Sequence, residues 1–155
     1  MVQLRDTLEA LVVFPFQLMQ AAIPHLVKQQ FGRVVFITSH RTALPMAGGA
    51  LPDMARAATN ALVSSLSVEL SPHGIAVNAI APNYYYSEAY FPRSLYIENE
   101  VGRKFVEQAV PAGRLGTAEE LGALIAFLAT LPGHFQTGAI IPFTGGWPAA
   151  PPRPF

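Results

Sequence analysis

The stretch Gly32-Arg-Val-Val-Phe-Ile-Thr-Ser39 decides the fold. Its middle is a short apolar run rich in β-branched residues, with no polar alternation. That is the pattern of a strand buried on both faces of a parallel sheet. Parallel strands need crossover helices, and the flanking sequence supplies them. Upstream, Leu8, Leu11, Val12, Phe16, Met19, Ile23, Leu26 and Val27 recur at helical spacing. They predict a helix over about 4–29, kinked at Pro15 and Pro24 and stopped by Gly32. Downstream, a loop with Pro45, Gly48 and Gly49 leads into a helix over about 53–70 that Pro72-His-Gly74 closes. Ile75-Ala-Val-Asn-Ala-Ile80 reads as a second strand, followed by the aromatic loop Pro82–Pro92 and a helix over about 98–109. Thr117-Ala-Glu-Glu120 is a capping box that opens a helix to about Thr130. Gly138-Ala-Ile-Ile-Pro-Phe143 reads as the last strand, and Gly145-Gly146 ends it. Alternating helices and strands predict an α/β fold: about three strands of a doubly wound parallel sheet with flanking helices.

Composition narrows the function. The 155 residues are one domain's worth. Ten basic and ten acidic residues balance to zero, so no charge footprint for nucleic acid or an anionic membrane is expected. There is no cysteine, which excludes disulfides, thiolate nucleophiles and Cys-ligated zinc. His25, His40, His73 and His134 lack metal-ligand spacing. Charged residues make up 13%, below the roughly 25% usual in soluble domains, so some apolar surface is expected to meet another chain. No basic segment with a small-residue cleavage site opens the chain, and the cytoplasm is the expected location. Leu8–Val27 is the membrane candidate, but Glu9, Pro15, Gln17, Gln20, Pro24 and His25 interrupt it and argue against a span.

Several segments together resemble the latter half of a short-chain dehydrogenase/reductase. Gly32–Ser39 looks like the family's strand ending in the catalytic Ser, and Gly74-Ile-Ala-Val-Asn-Ala-Ile-Ala-Pro82 like its next strand. Val110-Pro-Ala-Gly-Arg-Leu-Gly-Thr117 with Glu119-Glu120 resembles a later helix start. Thr137-Gly138 and Gly145-Gly146 resemble the terminal strand and turn. Two features narrow the resemblance to halohydrin dehalogenases. Dehydrogenases of the superfamily carry Pro-Gly where the nicotinamide packs, whereas Pro82-Asn83-Tyr84 and the aromatics after it are similar to the dehalogenases' halide-pocket segment. Those dehalogenases use Ser-x12-Tyr-x3-Arg, and this chain has Ser39-x12-Pro52-x3-Arg56. The resemblance implies that residues 1–147 form a partial domain without the family's first four strands and dinucleotide-binding half, with 148–155 a Pro-rich tail. It also implies no nucleotide cofactor, and an exposed edge on the first strand.

The implied reaction turns a vicinal haloalcohol into an epoxide and a halide, and the reverse. It needs a base, a group that positions the oxygen and a halide cradle. The resemblance gives Ser39 the oxygen; the plainer reading is a turn-capping Ser. Arg56 would lower the pKa of a neighbouring phenol, but cannot itself be the base. Pro52 stands where that phenol belongs and has no proton chemistry, so impaired turnover is expected. Asp53 is a weak base at best, and fits equally a helix N-terminal charge. A hydrolase triad of Ser39, His40 and Asp53 is disfavoured, because adjacent strand residues point to opposite faces. Pro82, Asn83, Tyr84 and Tyr85 would line the cradle with ring edges and backbone N–H groups, against the alternative of loop packing. The helices around 4–29 and 53–70 are expected to build a homo-oligomer. A non-catalytic oligomerising subunit of the same fold is the alternative function. A nucleotide-dependent reductase lacks its motifs, and a Pro148-x-x-Pro151 peptide ligand is a weak reading.

Overall fold

The computed structural model describes residues 2–150. The chain opens with helix α1 (Val2–Leu8), a π-helical turn (Glu9–Val13) and helix α2 (Phe14–Gln29). Pro15 has no N–H to give Leu11 four residues back. The backbone widens instead, and Phe14 N–H reaches Glu9 O. The freed Leu11 carbonyl accepts the Thr59 hydroxyl at 2.6 Å. The expected kink at Pro15 is therefore a π turn closed by another helix, and Pro24 lies inside α2. Gln30, in a left-handed conformation (φ 53°), ends α2 rather than Gly32. By length and composition Gln3–Gln29 could cross a membrane. One face of it lies against the sheet, where Met19 is buried in the core and Ile23, Leu26 and Val27 pack around it.

Strand β1 (Gly32–Ile37) leads through a 3-10 turn (His40–Ala43) to helix α3 (Ala50–Leu70). The helix begins three residues earlier than the sequence pattern suggested. Pro52 fits because the first turn needs no intrahelical N–H. Gly74 (φ 73°) follows a short 3-10 turn and leads into strand β2 (Ile75–Pro82). A Cβ on Gly74 would lie 2.5 Å from the Gln30 carbonyl oxygen, so this turn requires glycine. The aromatic loop holds the short helix α4 (Arg93–Tyr96), followed by α5 (Glu100–Ala109). Helix α6 (Ala118–Thr130) has the expected capping box, and strand β3 (Ile140–Phe143) follows.

The three strands form one parallel sheet in the order β1-β2-β3, with Gly32 opposite Ile75 and Ala79 opposite Ile140. Helices cover both faces, as a doubly wound sheet requires. On one face Ile75, Val77 and Ala79 meet Val63, Leu66 and Leu70 of α3. On the other, Ile80 meets Leu121 and Leu128 of α6. β2 is buried along its length except at Pro82. β1 is not: only Gly32 is buried, and Ile37 is 42% exposed. The expectation that β1 is buried on both faces is corrected here. It lies at the sheet's edge, so one side of it lacks a neighbour.

Candidate active site

In a parallel sheet all strand ends of one kind lie together, and ligands bind beyond the carboxyl ends. That rule gathers Ser39 after β1, the loop after Pro82 and the turn Thr144–Trp147 after β3. Ser39 caps the 3-10 turn, its hydroxyl oxygen accepting Arg41 N–H at 3.2 Å. The hydroxyl proton remains free to donate. Arg56, nearly two turns into α3, donates to the carbonyl of Ile37 at 3.0 Å. That bond anchors α3 to the end of β1, two residues from Ser39. Burial pushes the Arg56 guanidinium below its usual range, and the nearby Tyr90 phenol counters this. The Asp53 carboxylate lies 3.4 Å from Arg41 Nε, an ion pair with no hydrogen bond. Gly49 is buried there beside the Arg41 guanidinium and the Asp53 carboxylate. Pro52 is exposed on the first turn of α3.

The structure divides the four expected cradle residues. Tyr84 takes a left-handed backbone (φ 50°), which is strained for a residue with a Cβ. Its ring packs on Phe91 at 5.2 Å and on Trp147 at 5.6 Å. Burial pushes the Tyr84 phenol up. Tyr85 turns away, to the cluster of Ile80, Leu121 and Leu128. The N–H of Asn83 is spent on Phe143 O at 3.0 Å, and that of Tyr84 on Asn83 Oδ1 at 3.0 Å. An anion here would therefore meet ring edges rather than these two N–H groups, which corrects half of the expected cradle. Asn83 and Tyr84 also border a small pocket of about 100 Å³ with Arg114 and Glu120. Arg114 holds the Glu120 carboxylate with two hydrogen bonds, at 2.9 and 2.6 Å.

Sequence reasoning missed Trp147. Its ring stands edge-on to His40 at 6.2 Å, and so bridges the Ser39 side to the Tyr84 loop. The signal was present: Trp147 directly follows the Gly-Gly turn of the last parallel strand. The argument against the triad also needs correcting. β1 ends at Ile37, so strand alternation does not govern Ser39 and His40. The triad is nonetheless not assembled, since Asp53 pairs with Arg41. A groove of about 540 Å³ lies elsewhere, between the π turn and α2 on one side and α3 on the other. Val12, Phe16, Ala58 and Leu62 line it, and it holds no titratable group.

A family model described as enoyl-(acyl carrier protein) reductase matches residues 3–148. The chain belongs to this family, within the short-chain dehydrogenases/reductases. It is 32% identical over 141 residues to the 3-oxoacyl-[acyl-carrier-protein] reductase FabG of Salmonella typhimurium, covering 91% of this chain and 56% of that protein. To a tropinone reductase homologue of Arabidopsis thaliana it is 31% identical over 134 residues, 84% of this chain and 49% of the relative. Among solved structures, a halohydrin dehalogenase bound to ethyl (2S)-oxiran-2-ylacetate is 34% identical with a TM-score of 0.93, covering 100% of this chain and 63% of that one. A protein described as a dehalogenation enzyme is 41% identical with a TM-score of 0.89, covering 95% of this chain and 60% of that one. The chain spans about half the length of the curated relatives it matches. Reductases of this superfamily take a nicotinamide where Pro-Gly follows the strand equivalent to β2. Here Asn83 follows Pro82 where those reductases have that glycine, and the Tyr84 ring beside it packs on Phe91 and Trp147.

Proposed function

We propose that this short-chain dehydrogenase/reductase acts as a halohydrin dehalogenase, closing vicinal haloalcohols to epoxides with release of halide, without a nucleotide. One observation carries the reading: the Pro82-Asn83-Tyr84 loop meets Trp147 at the end of the sheet that also bears Ser39 and Arg56. The Ser39 hydroxyl would donate to the substrate oxygen. Ring edges of Tyr84 and Trp147 carry partial positive charge and would receive the large, weakly hydrated halide. Pro82 and Asn83 shape the loop, with Tyr85 behind it in the α6 core. Arg56 remains charged and supplies positive potential near the reacting oxygen. Pro52 supplies no proton chemistry, so turnover is expected below that of a site with a phenol there.

A second reading has its own support. The chain's similarity to reductases such as FabG favours nucleotide-dependent ketone reduction. One pair of assays separates them. Purified protein is given a vicinal bromoalcohol without nucleotide, and separately a 3-oxoacyl thioester with NADPH. Bromide release above buffer with no NADPH consumption is expected. NADPH consumption would establish the reductase reading. Silence in both would leave the chain a non-catalytic subunit of the fold.

The proposal extends to assembly. The 540 Å³ apolar groove, with Phe16 46% exposed at its rim, suits packing against a second copy through the helices around 4–29 and 53–70. Light scattering at micromolar concentration is expected to give a dimer or larger; a monomer would contradict it.

A further inference from the structure

We propose that His40 is the proton acceptor of this site, in place of the phenol that position 52 cannot supply. This rests on the dehalogenation reading above. The imidazole adjoins the site geometrically. It stands edge-on to Trp147 at 6.2 Å and 80°, and Trp147 meets Tyr84 at 5.6 Å. His40 is also next to Ser39, in a 3-10 turn that frees it from strand alternation. Among the described residues no hydrogen bond engages a ring nitrogen of His40, whereas His73 Nδ1 has Gln30 at 3.5 Å.

The competing groups are committed or unsuited. Asp53 faces Arg41. Arg56 keeps its proton. Tyr90, beside Arg56, is 75% exposed on the loop. An imidazole is the side chain best able to accept and return a proton near neutrality. In the step, a His40 ring nitrogen takes the proton of the substrate hydroxyl. The oxygen's electron pair forms the new C–O bond on the neighbouring carbon. The carbon–halogen bond breaks, and the halide leaves with its electron pair. The imidazolium then gives its proton to water.

The test compares bromide release by wild type, His40→Ala, His40→Gln and Tyr90→Phe, with and without added imidazole. His40→Ala is expected to fall by about a hundredfold or more, the usual share of a general base, with part of the rate restored by free imidazole. His40→Gln should stay low with the same circular dichroism as wild type, and Tyr90→Phe should stay within a few-fold. A merely structural role for His40 would not respond to imidazole. An active wild type with His40→Ala unchanged, or with a loss that imidazole cannot restore, overturns the assignment and leaves the dehalogenation reading standing. A loss confined to Tyr90→Phe would also overturn it, in favour of the phenol. A wild type that releases no bromide overturns both.

Discussion

β1 and β2 are neighbouring strands of similar apolar composition, and the structure treats them differently. β2 is paired on both edges, and all but Pro82 of it is buried. β1 is paired on one edge, and all but Gly32 of it is partly exposed. Polar groups follow the same division. Asn78, inside β2, is 2% exposed and satisfied: it donates to Gln136 O at 2.8 Å and accepts from Ala139 N at 3.1 Å. Thr38, just past β1, is 4% exposed, and among the described residues its hydroxyl has no partner. Burial therefore comes from the neighbours a strand has, and strand composition alone does not fix it. The site inherits this division. Tyr84 follows the buried β2, whereas Ser39 follows the part-exposed β1, to whose end Arg56 of α3 is bonded.

Mutations can break or sharpen that contrast. Ile80→Ala in β2 should cost about 2–5 kcal/mol, as for full truncation in a closed core. Val35→Ala in β1 should cost about 1 kcal/mol, in line with partial burial. Urea unfolding midpoints measure both, and equal losses would erase the contrast. Next, Asn78→Leu strands the Ala139 N–H and Gln136 carbonyl and should cost about 1–3 kcal/mol. Thr38→Val removes a hydroxyl that has no partner and should be neutral or slightly stabilising. Thr59→Val leaves the Leu11 carbonyl of the π turn without its bond and should cost about 1 kcal/mol by thermal unfolding. The smallest effect concerns pH. Hydrogen bonding to Arg114 and the cap holds the Glu120 carboxyl down, from 4.5 to about 2. A depressed carboxyl stabilises the fold above its ordinary range, and that support is lost as pH falls toward 2. The pair is exposed, so 1 M salt or Arg114→Ala should flatten this part of the stability–pH curve.

Much of this was legible in the sequence. The capping box at Thr117, the Gly74 stop and the strand runs follow from local rules, and so the α/β class was readable. β1's exposed edge followed from the resemblance, while its apolar run alone suggested full burial, because hydrophobic content cannot count a strand's neighbours. The π turn was also hidden. Pro15 announces a disturbed helix, but only Thr59, distant in sequence, says how the orphan carbonyl is satisfied. At the site, Ser39, Arg56 and the Asn83-Tyr84 loop were named by the family resemblance and not by composition or periodicity. The turning away of Tyr85 depends on the left-handed Tyr84 backbone, which sequence gives no reason to expect in a tyrosine. Trp147 and His40 meet only because three strand ends converge.

The most direct test of the account is halide binding at the convergence of those strand ends. Trp147 is the one tryptophan of the chain, so its fluorescence reports that place alone. Bromide titration is expected to quench it with a saturating curve, and Tyr84→Ala to abolish the saturation. Quenching that rises linearly with bromide, alike in wild type and Tyr84→Ala, would show only collisions and would contradict a halide site there.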